Sequence, residues 1–123
     1  MKLNKPKHNL FKNTVYALEG LSDIIQNETS FKWQLLMLVS LGSVAWLLPL
    51  NFVESSILFL SLFIPILSEV INSAIERVVD LVTQDYHIMA KKAKDVGATI
   101  VFLSFVWMLL IWLAVLVNAF ILK

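Results

Sequence analysis

The chain has 123 residues, 59% of them hydrophobic, and its mean hydropathy of +0.79 lies far above that of soluble globular proteins. The absence of cysteine excludes disulfides, thiolate nucleophiles and cysteine-based zinc sites, and a net charge of +1 without a long basic run gives no indication of nucleic-acid binding. The composition predicts one all-α membrane domain over residues 1–123, with three transmembrane helices and an N-terminal amphipathic surface helix. So small a chain cannot enclose much of a site alone, which indicates an oligomer.

The N-terminal part of the chain predicts a basic arm followed by a helix. Residues 2–9 are polar and rich in lysine, and Pro6 argues against helix there. From residue 10 to about 27, apolar residues recur at spacings of three and four, which is typical of an amphipathic helix. This segment is too polar to span a membrane, so we expect it to lie in the membrane interface. A soluble amphipathic helix packed on a partner would have the same pattern.

Three later stretches are long and apolar enough to cross a membrane, since a helix rises about 1.5 Å per residue. They are predicted at about residues 31–50, 52–82 with a cytosolic extension, and 96–122. The polar stretch 83–95 must lie in water. Pro65 lies inside the second span, four residues before Glu69, so we expect a kink that helps to aim Glu69, although proline is also common in spanning helices.

The positive charges predict the orientation of these spans. Nine of the ten lysine and arginine residues lie in the N-terminal region up to Lys32 or between Arg77 and Lys94. Only Lys123 lies on the opposite side. The positive-inside rule then places the N-terminus in the cytosol and the C-terminus outside it.

The most informative part of the sequence is a polar stretch from Glu69 to Glu76, near the end of the second predicted span. Glu69, Asn72, Ser73 and Glu76 recur at i, i+3, i+4 and i+7, which places them on one stripe of one helix. Ionisable side chains at membrane depth cost about 2.5–3.5 kcal/mol each on insertion scales and are therefore functional candidates. A helix that simply leaves the bilayer explains Glu69 about as well, but it explains the full stripe poorly.

Composition and motifs leave few chemistries open. The sequence contains neither glycine-rich phosphate-binding loops nor the HExxH zinc motif. Glu28 and Glu76 could share a hard cation such as Mg²⁺, Lys94 could neutralise phosphate charge, and a partly buried Glu69 could act as a general base. These parts match phosphoryl transfer. A carboxylate in a non-enzymatic, proton-conducting membrane bundle would look similar, so the residues alone leave both open.

From Glu69 to Asp95 the sequence follows the pattern E-x-x-N-S/T-A-I-E…D…H…A-K-D. In this pattern, and over nearly the whole chain, it strongly resembles the prokaryotic diacylglycerol kinase family. The resemblance implies a homotrimeric lipid kinase of the bacterial inner membrane, with a periplasmic C-terminus and active sites at subunit interfaces. It implies that ATP, bound with Mg²⁺ on the cytosolic face, phosphorylates diacylglycerol to phosphatidic acid.

The resemblance also implies roles for individual residues. Glu69 would take the proton from the lipid hydroxyl, and Asn72 would orient the base or the transferred phosphoryl group. Glu28 and Glu76 would bind the divalent metal. The implied nucleotide contacts are Tyr16, Glu28, Glu76, Tyr86, His87, Lys94 and Asp95. The implied lipid contacts are Thr14, Ala17, Leu18, Glu19, Asp23, Ser30, Phe31, Gln34, Leu35, Leu48, Trp112 and Val117.

Two positions depart from the family's pattern. Asn9 stands where members often carry an arginine that touches substrate and nucleotide, so Lys7 or Lys12 could take its place. Gln34 stands where an acidic residue is common. Related members phosphorylate undecaprenol, and nothing physical in the sequence separates an acylglycerol tail from a prenyl tail. The closer match of the motif favours diacylglycerol.

Overall fold

The computed structural model describes residues 9–122, and all regular structure in this range is helical. Residues 2–8 of the predicted basic arm, which include Lys7, lie outside the described range. The helices are α1 (Leu10–Asn27), α2 (Thr29–Leu47), α3 (Phe52–Ser61), α4 (Phe63–Val82) and α5 (Ile88–Val117), followed by a π-helix at Asn118–Leu122. Three helical segments are long and apolar enough to cross a membrane: Thr29–Leu47, Phe52–Val82 and Ile88–Leu122. The predicted class, an all-α membrane protein with three spans, is confirmed.

Helix α1 is attached to the bundle along a narrow strip. Asn9 caps its start by accepting a hydrogen bond from the backbone N–H of Lys12 at 3.3 Å. Ile24 is the only residue of α1 that is buried, and it packs in a cluster with Phe31 and Ile66. The other apolar side chains of α1 are exposed, which leaves them available to a lipid surface.

A single residue, Glu28, separates α1 from α2. Its backbone is extended (φ −104°, ψ 110°), so the chain turns a corner there. Lys32 secures the corner, because its Nζ donates to the backbone carbonyl of Gln26 at 2.9 Å. Helix α2 ends at Leu47, earlier than the predicted residue 50, because Leu48 precedes Pro49 and adopts an extended conformation (ψ 148°).

The second span is interrupted once. Leu62 separates α3 from α4, and its backbone N–H bonds to the carbonyl of Phe59 at 3.2 Å in place of the regular helical partner. The cause is Pro65, which has no N–H and whose ring crowds the carbonyl of Ser61. The interruption thus lies in the turn before the proline. Helix α4 begins after it and contains the whole polar stripe without a further break.

Helix α5 begins at Ile88, well before the predicted start of the third span at residue 96. His87 caps it, since its Nδ1 accepts a hydrogen bond from the backbone N–H of Met89 at 3.2 Å. The 30 residues of α5 correspond to about 45 Å, longer than the hydrocarbon core of a bilayer. The first turns of α5, which carry Lys91 and Lys94, can therefore stand in water while the remainder spans.

Candidate active site

Helix α4 carries the predicted polar stripe from the interior to the surface of the bundle. Glu69 and Asn72 are 6% and 7% exposed, and Ser73 is buried beside them. Glu76, one turn further on, is half-buried. Polar side chains at this depth require partners, so the partners determine what the stripe can do.

Glu69 has one side-chain partner on the neighbouring span. Gln34 of α2 donates from Nε2 to Glu69 Oε2 at 3.3 Å. The other Gln34 atom, Oε1, is buried and accepts no hydrogen bond. Glu69 Oε1 accepts no side-chain hydrogen bond among the described residues, and it is the carboxylate oxygen that remains able to take a proton.

Asn72 connects Glu69's end of the stripe to Glu76. Its Nδ2 donates to Glu76 Oε1 at 3.0 Å, while its Oδ1 is buried without a partner. Helix α5 approaches Asn72 through Gly97, where an added Cβ would lie 2.4 Å from Asn72 Oδ1. Among the described residues, Gln34 Oε1 and Asn72 Oδ1 are the buried side-chain polar atoms that lack a hydrogen bond. An unpaired buried acceptor costs about 1–3 kcal/mol. These two lie on the partner of Glu69 and one turn along α4 from Glu69, and each can accept a hydrogen bond from a donor that reaches it.

Glu69 lies within electrostatic reach of the two other predicted carboxylates. Glu76 and Glu28 both interact electrostatically with Glu69, and Lys94 interacts with Glu76. Within residues 9–122 no three histidine, aspartate or glutamate side chains group together as a metal site. Mg²⁺ is commonly held by one or two protein carboxylates, with its remaining ligands from phosphate or water, so it does not require such a group.

Glu28 and Glu76 each retain an oxygen for such a cation. Glu28 Oε1 accepts from Arg77 Nη2 at 2.9 Å and from Arg77 Nε at 3.2 Å, and Glu76 Oε1 accepts from Asn72. The Oε2 atom of each carboxylate has no hydrogen-bond partner among the described residues. Hard carboxylate oxygens fit Mg²⁺, so the donor chemistry agrees with the predicted metal.

An open pocket of about 480 Å³ lies between the end of α4 and the start of α5. Four predicted nucleotide contacts line it together, namely Tyr86, His87, Lys94 and Asp95. Lys94 Nζ is paired with Asp80 at 2.6 Å, and Asp95 is paired with Lys91 at 2.5 Å. Glu28, Glu76 and Tyr16 do not line this pocket.

Comparison with known proteins identifies the group to which this chain is related. Residues 15–116 match the prokaryotic diacylglycerol kinase family. The chain belongs to this family. A diacylglycerol kinase of Helicobacter pylori strain J99 is 32% identical over 103 residues, which cover 80% of each chain. That of Haemophilus influenzae is 29% identical over 103 residues (84% of this chain, 87% of the relative), and that of Escherichia coli K12 is 28% identical over 108 residues (84% and 88%). The predicted family is confirmed, and the protein is a lipid kinase of this family.

The lipid contacts implied by the family resemblance are distributed over α1, α2, the connection after α2, and α5. Thr14, Ala17, Leu18 and Glu19 are exposed on α1, Ser30 is exposed at the start of α2, and Leu35, Leu48 and Val117 are half-buried. Phe31 is 1% exposed and belongs to the core. Trp112 donates from Nε1 to Ser61 Oγ at 3.1 Å, and Asp23 is paired with Arg77. For these residues the lipid role stays a prediction.

Two contacts of this kinase site were not predicted from the sequence. Arg77 bridges Glu28 and Asp23, and Gln34 donates to Glu69 rather than only facing lipid. Each partner lies on another segment of the chain, so spacing within one helix gives no signal for either contact. The departure at Gln34 was the available clue, since an amide can donate where an acidic residue cannot.

Proposed function

We propose that this lipid kinase transfers the γ-phosphoryl group of ATP to the free hydroxyl of diacylglycerol and produces phosphatidic acid and ADP. The observation that supports it best is the continuous polar path on α4. The path begins at buried Glu69, continues through Asn72 to Glu76, and reaches Lys94 at the pocket between α4 and α5. One end of this path lies at membrane depth and the other end lies in water, as a reaction between a lipid and a nucleotide requires.

Glu69 is the proposed general base. Its free Oε1 takes the hydroxyl proton as the lipid oxygen forms a bond to the γ-phosphorus, and the bond from that phosphorus to the β,γ-bridging oxygen breaks, so that ADP leaves. Gln34 holds the other carboxylate oxygen. The unpaired oxygens of Gln34 and Asn72 can accept hydrogen bonds from hydroxyl groups of the lipid, which orients the headgroup.

Glu28 and Glu76 would hold Mg²⁺ through their free oxygens, and the cation would supply positive charge to the phosphates. Lys94 lies beside Glu76 and can exchange Asp80 for a phosphate oxygen, because an ion pair at 40% and 51% side-chain exposure is weak in water. Tyr86, His87 and Asp95 line the same pocket and are the proposed contacts of the nucleoside part of ATP.

A homotrimer with shared sites is the proposed assembly. Tyr16, a predicted nucleotide contact, lies on the exposed surface of α1 and does not line the pocket of its own chain. A site shared between neighbouring subunits would bring such residues together. The family resemblance supports a bacterial inner-membrane location, and the positive charges support a cytosolic N-terminus and a periplasmic C-terminus.

The test is transfer of labelled γ-phosphate by the purified protein in detergent micelles, with diacylglycerol, undecaprenol or no lipid. We expect labelled phosphatidic acid from the wild type and a large loss in Glu76→Gln. Labelling of undecaprenol alone would replace the proposed substrate with the polyprenol. Proton conduction in vesicles, without phosphorylation of either lipid, would instead support the proton-conducting bundle. Turnover that survives Glu76→Gln unchanged would contradict the metal assignment.

A further inference from the structure

Arg77 is the only arginine in the sequence, and it joins three segments of the chain near the proposed metal carboxylates. It follows Glu76 on α4. Its Nε and Nη2 donate to one oxygen of Glu28, at 3.2 and 2.9 Å, and its Nη1 pairs with Asp23 of α1. Asp23 also accepts from Asn27 Nδ2 at 2.7 Å. The guanidinium is thus fixed from both sides.

The geometry at Glu28 shows whether Arg77 orients this carboxylate or prevents a cation from reaching it. Both Arg77 donors use Oε1, and Oε2 has no hydrogen-bond partner among the described residues. A guanidinium that blocked a cation would occupy both oxygens in the bidentate arrangement common for arginine and carboxylate. Here it fixes the carboxylate plane and leaves one oxygen for a ligand. Because Glu28 lies at the one-residue corner between α1 and α2, its orientation needs such a constraint.

We propose that Arg77 is a positioning residue that holds Glu28 ready for the divalent cation of the kinase. This rests on the proposed function, since it presumes that Glu28 binds the cation. The pair contributes little to stability, because the Arg77 side chain is 46% exposed. Its effect is on geometry, and carboxylates that bind metals commonly depend on such hydrogen-bonding partners for about 10–100-fold in metal affinity.

The sign of the effect tests this proposal. Coulomb repulsion between Arg77 and the cation alone predicts that loss of the positive charge beside the site strengthens cation binding. Loss of an orienting partner predicts the opposite. We therefore expect Arg77→Ala to weaken cation binding, and Lys92→Ala, which removes an exposed positive charge that forms no hydrogen bond or ion pair with these carboxylates, to leave it unchanged.

The experiment measures Mn²⁺ binding to the full chain by electron paramagnetic resonance of the free ion, without ATP or lipid. Relative to the wild type, we expect about 10–100-fold weaker binding in Arg77→Ala. Asp23→Asn, which leaves Glu28's contacts but frees one side of the guanidinium, should give a smaller loss in the same direction. Arg77→Lys, which keeps the charge but lacks the fork, should also bind more weakly than the wild type.

Three results would count against the proposal. Unchanged or tighter binding in Arg77→Ala, with helical content retained by circular dichroism, would overturn it. If Arg77→Ala does not keep its helical content, Arg77→Lys decides, and wild-type affinity there would overturn it. A wild type whose Mn²⁺ affinity does not respond to Glu28→Gln would remove the metal assignment of the proposed function itself, and the role of Arg77 with it.

Discussion

The second span contains two buried carboxylates whose surroundings differ. Glu54 of α3 is 8% exposed and Glu69 of α4 is 6% exposed. Glu54 forms a capping box with Asn51, through bonds of 2.9 and 3.1 Å, and accepts from Asn118 Nδ2 at 3.3 Å. Glu69 has a single side-chain hydrogen bond, at 3.3 Å, and unpaired acceptors beside it.

Two carboxylates that are buried to a similar extent therefore have different surroundings and different roles in this molecule. Glu54 is surrounded by donors and joins the start of α3 to the π-helix, so it stabilises the fold. Glu69 lies near other carboxylates and is held by one amide, so its second oxygen can accept a proton or a hydrogen bond from a hydroxyl group. The number of donors around a buried carboxylate separates a structural residue from a catalytic candidate.

The largest expected difference between the two carboxylates is in activity. Glu69→Gln removes the proposed base and should lower lipid phosphorylation by about 10²–10⁴-fold, while Glu54→Gln, the matched change at the other carboxylate, should stay near the wild type. The measurement is labelled phosphate transfer from ATP to diacylglycerol in micelles. Equal losses of activity in both variants would contradict the idea that the number of hydrogen-bond donors separates the roles of Glu54 and Glu69.

The close approach of α5 to the stripe is tested next. Gly97→Ala would place a methyl group 2.4 Å from Asn72 Oδ1, so Asn72 must move. A misplacement of about 1 Å in an active site can reduce catalysis by about 100-fold. Gly20→Ala is the matched control, because a Cβ there has no atom within 4 Å. Its activity should match the wild type, and full activity in Gly97→Ala would contradict a functional position for Asn72.

Stability should reverse the order of the two carboxylates. Glu54→Ala leaves the N–H of Asn51 and the amide of Asn118 without this partner, and we expect a loss of about 1–3 kcal/mol in the free energy of unfolding. Glu69→Gln removes repulsion from Glu76 and Glu28 and should unfold no more readily than the wild type. Denaturant unfolding in micelles, followed by circular dichroism, measures both. A greater loss in Glu69→Gln would contradict the assignment.

The smallest effect is expected at the surface helix. The hydrogen bond from Arg77 holds the pKa of the Asp23 carboxyl below its ordinary value, so this contact stabilises the docking of α1 at neutral pH. Because the folded pKa is lowered, the contribution is lost as the pH falls through that lowered value. Protease cleavage within α1 should therefore increase at acid pH in the wild type. In Asp23→Asn this pH-dependent component should be absent, and an identical pH profile in both proteins would contradict it.

Local patterns predicted the helices and the composition of the stripe, because both depend on residues within a few turns. The spacing of Glu69, Asn72 and Glu76 placed them on one face of α4. What the sequence could not supply were contacts between distant segments. The pair of Gln34 and Glu69 and the bridge from Arg77 to α1 depend on how helices pack.

Two details of the helices could not be predicted, because each depends on how one residue affects the backbone of its neighbours. Pro65 predicted a kink in the second span without giving its position, and the interruption lies at Leu62, because the ring and the missing N–H affect the preceding turn. Helix α5 begins at Ile88 because the cap from His87 permits it. Polarity predicted a water-exposed stretch at residues 83–95 but gave no sign that most of it is helical.

The connection between α1 and α2 consists of Glu28 alone, so it cannot absorb a change in chain length. Each residue in a helix advances the chain by about 100° around its axis. Inserting or deleting one residue there would thus rotate α1 against α2 by roughly a quarter turn or more, carrying Ile24 away from Phe31 and Ile66. Chain length at this point is accordingly a fixed dimension of the protein, and a one-residue change in it should be harder to tolerate than most changes of side chain.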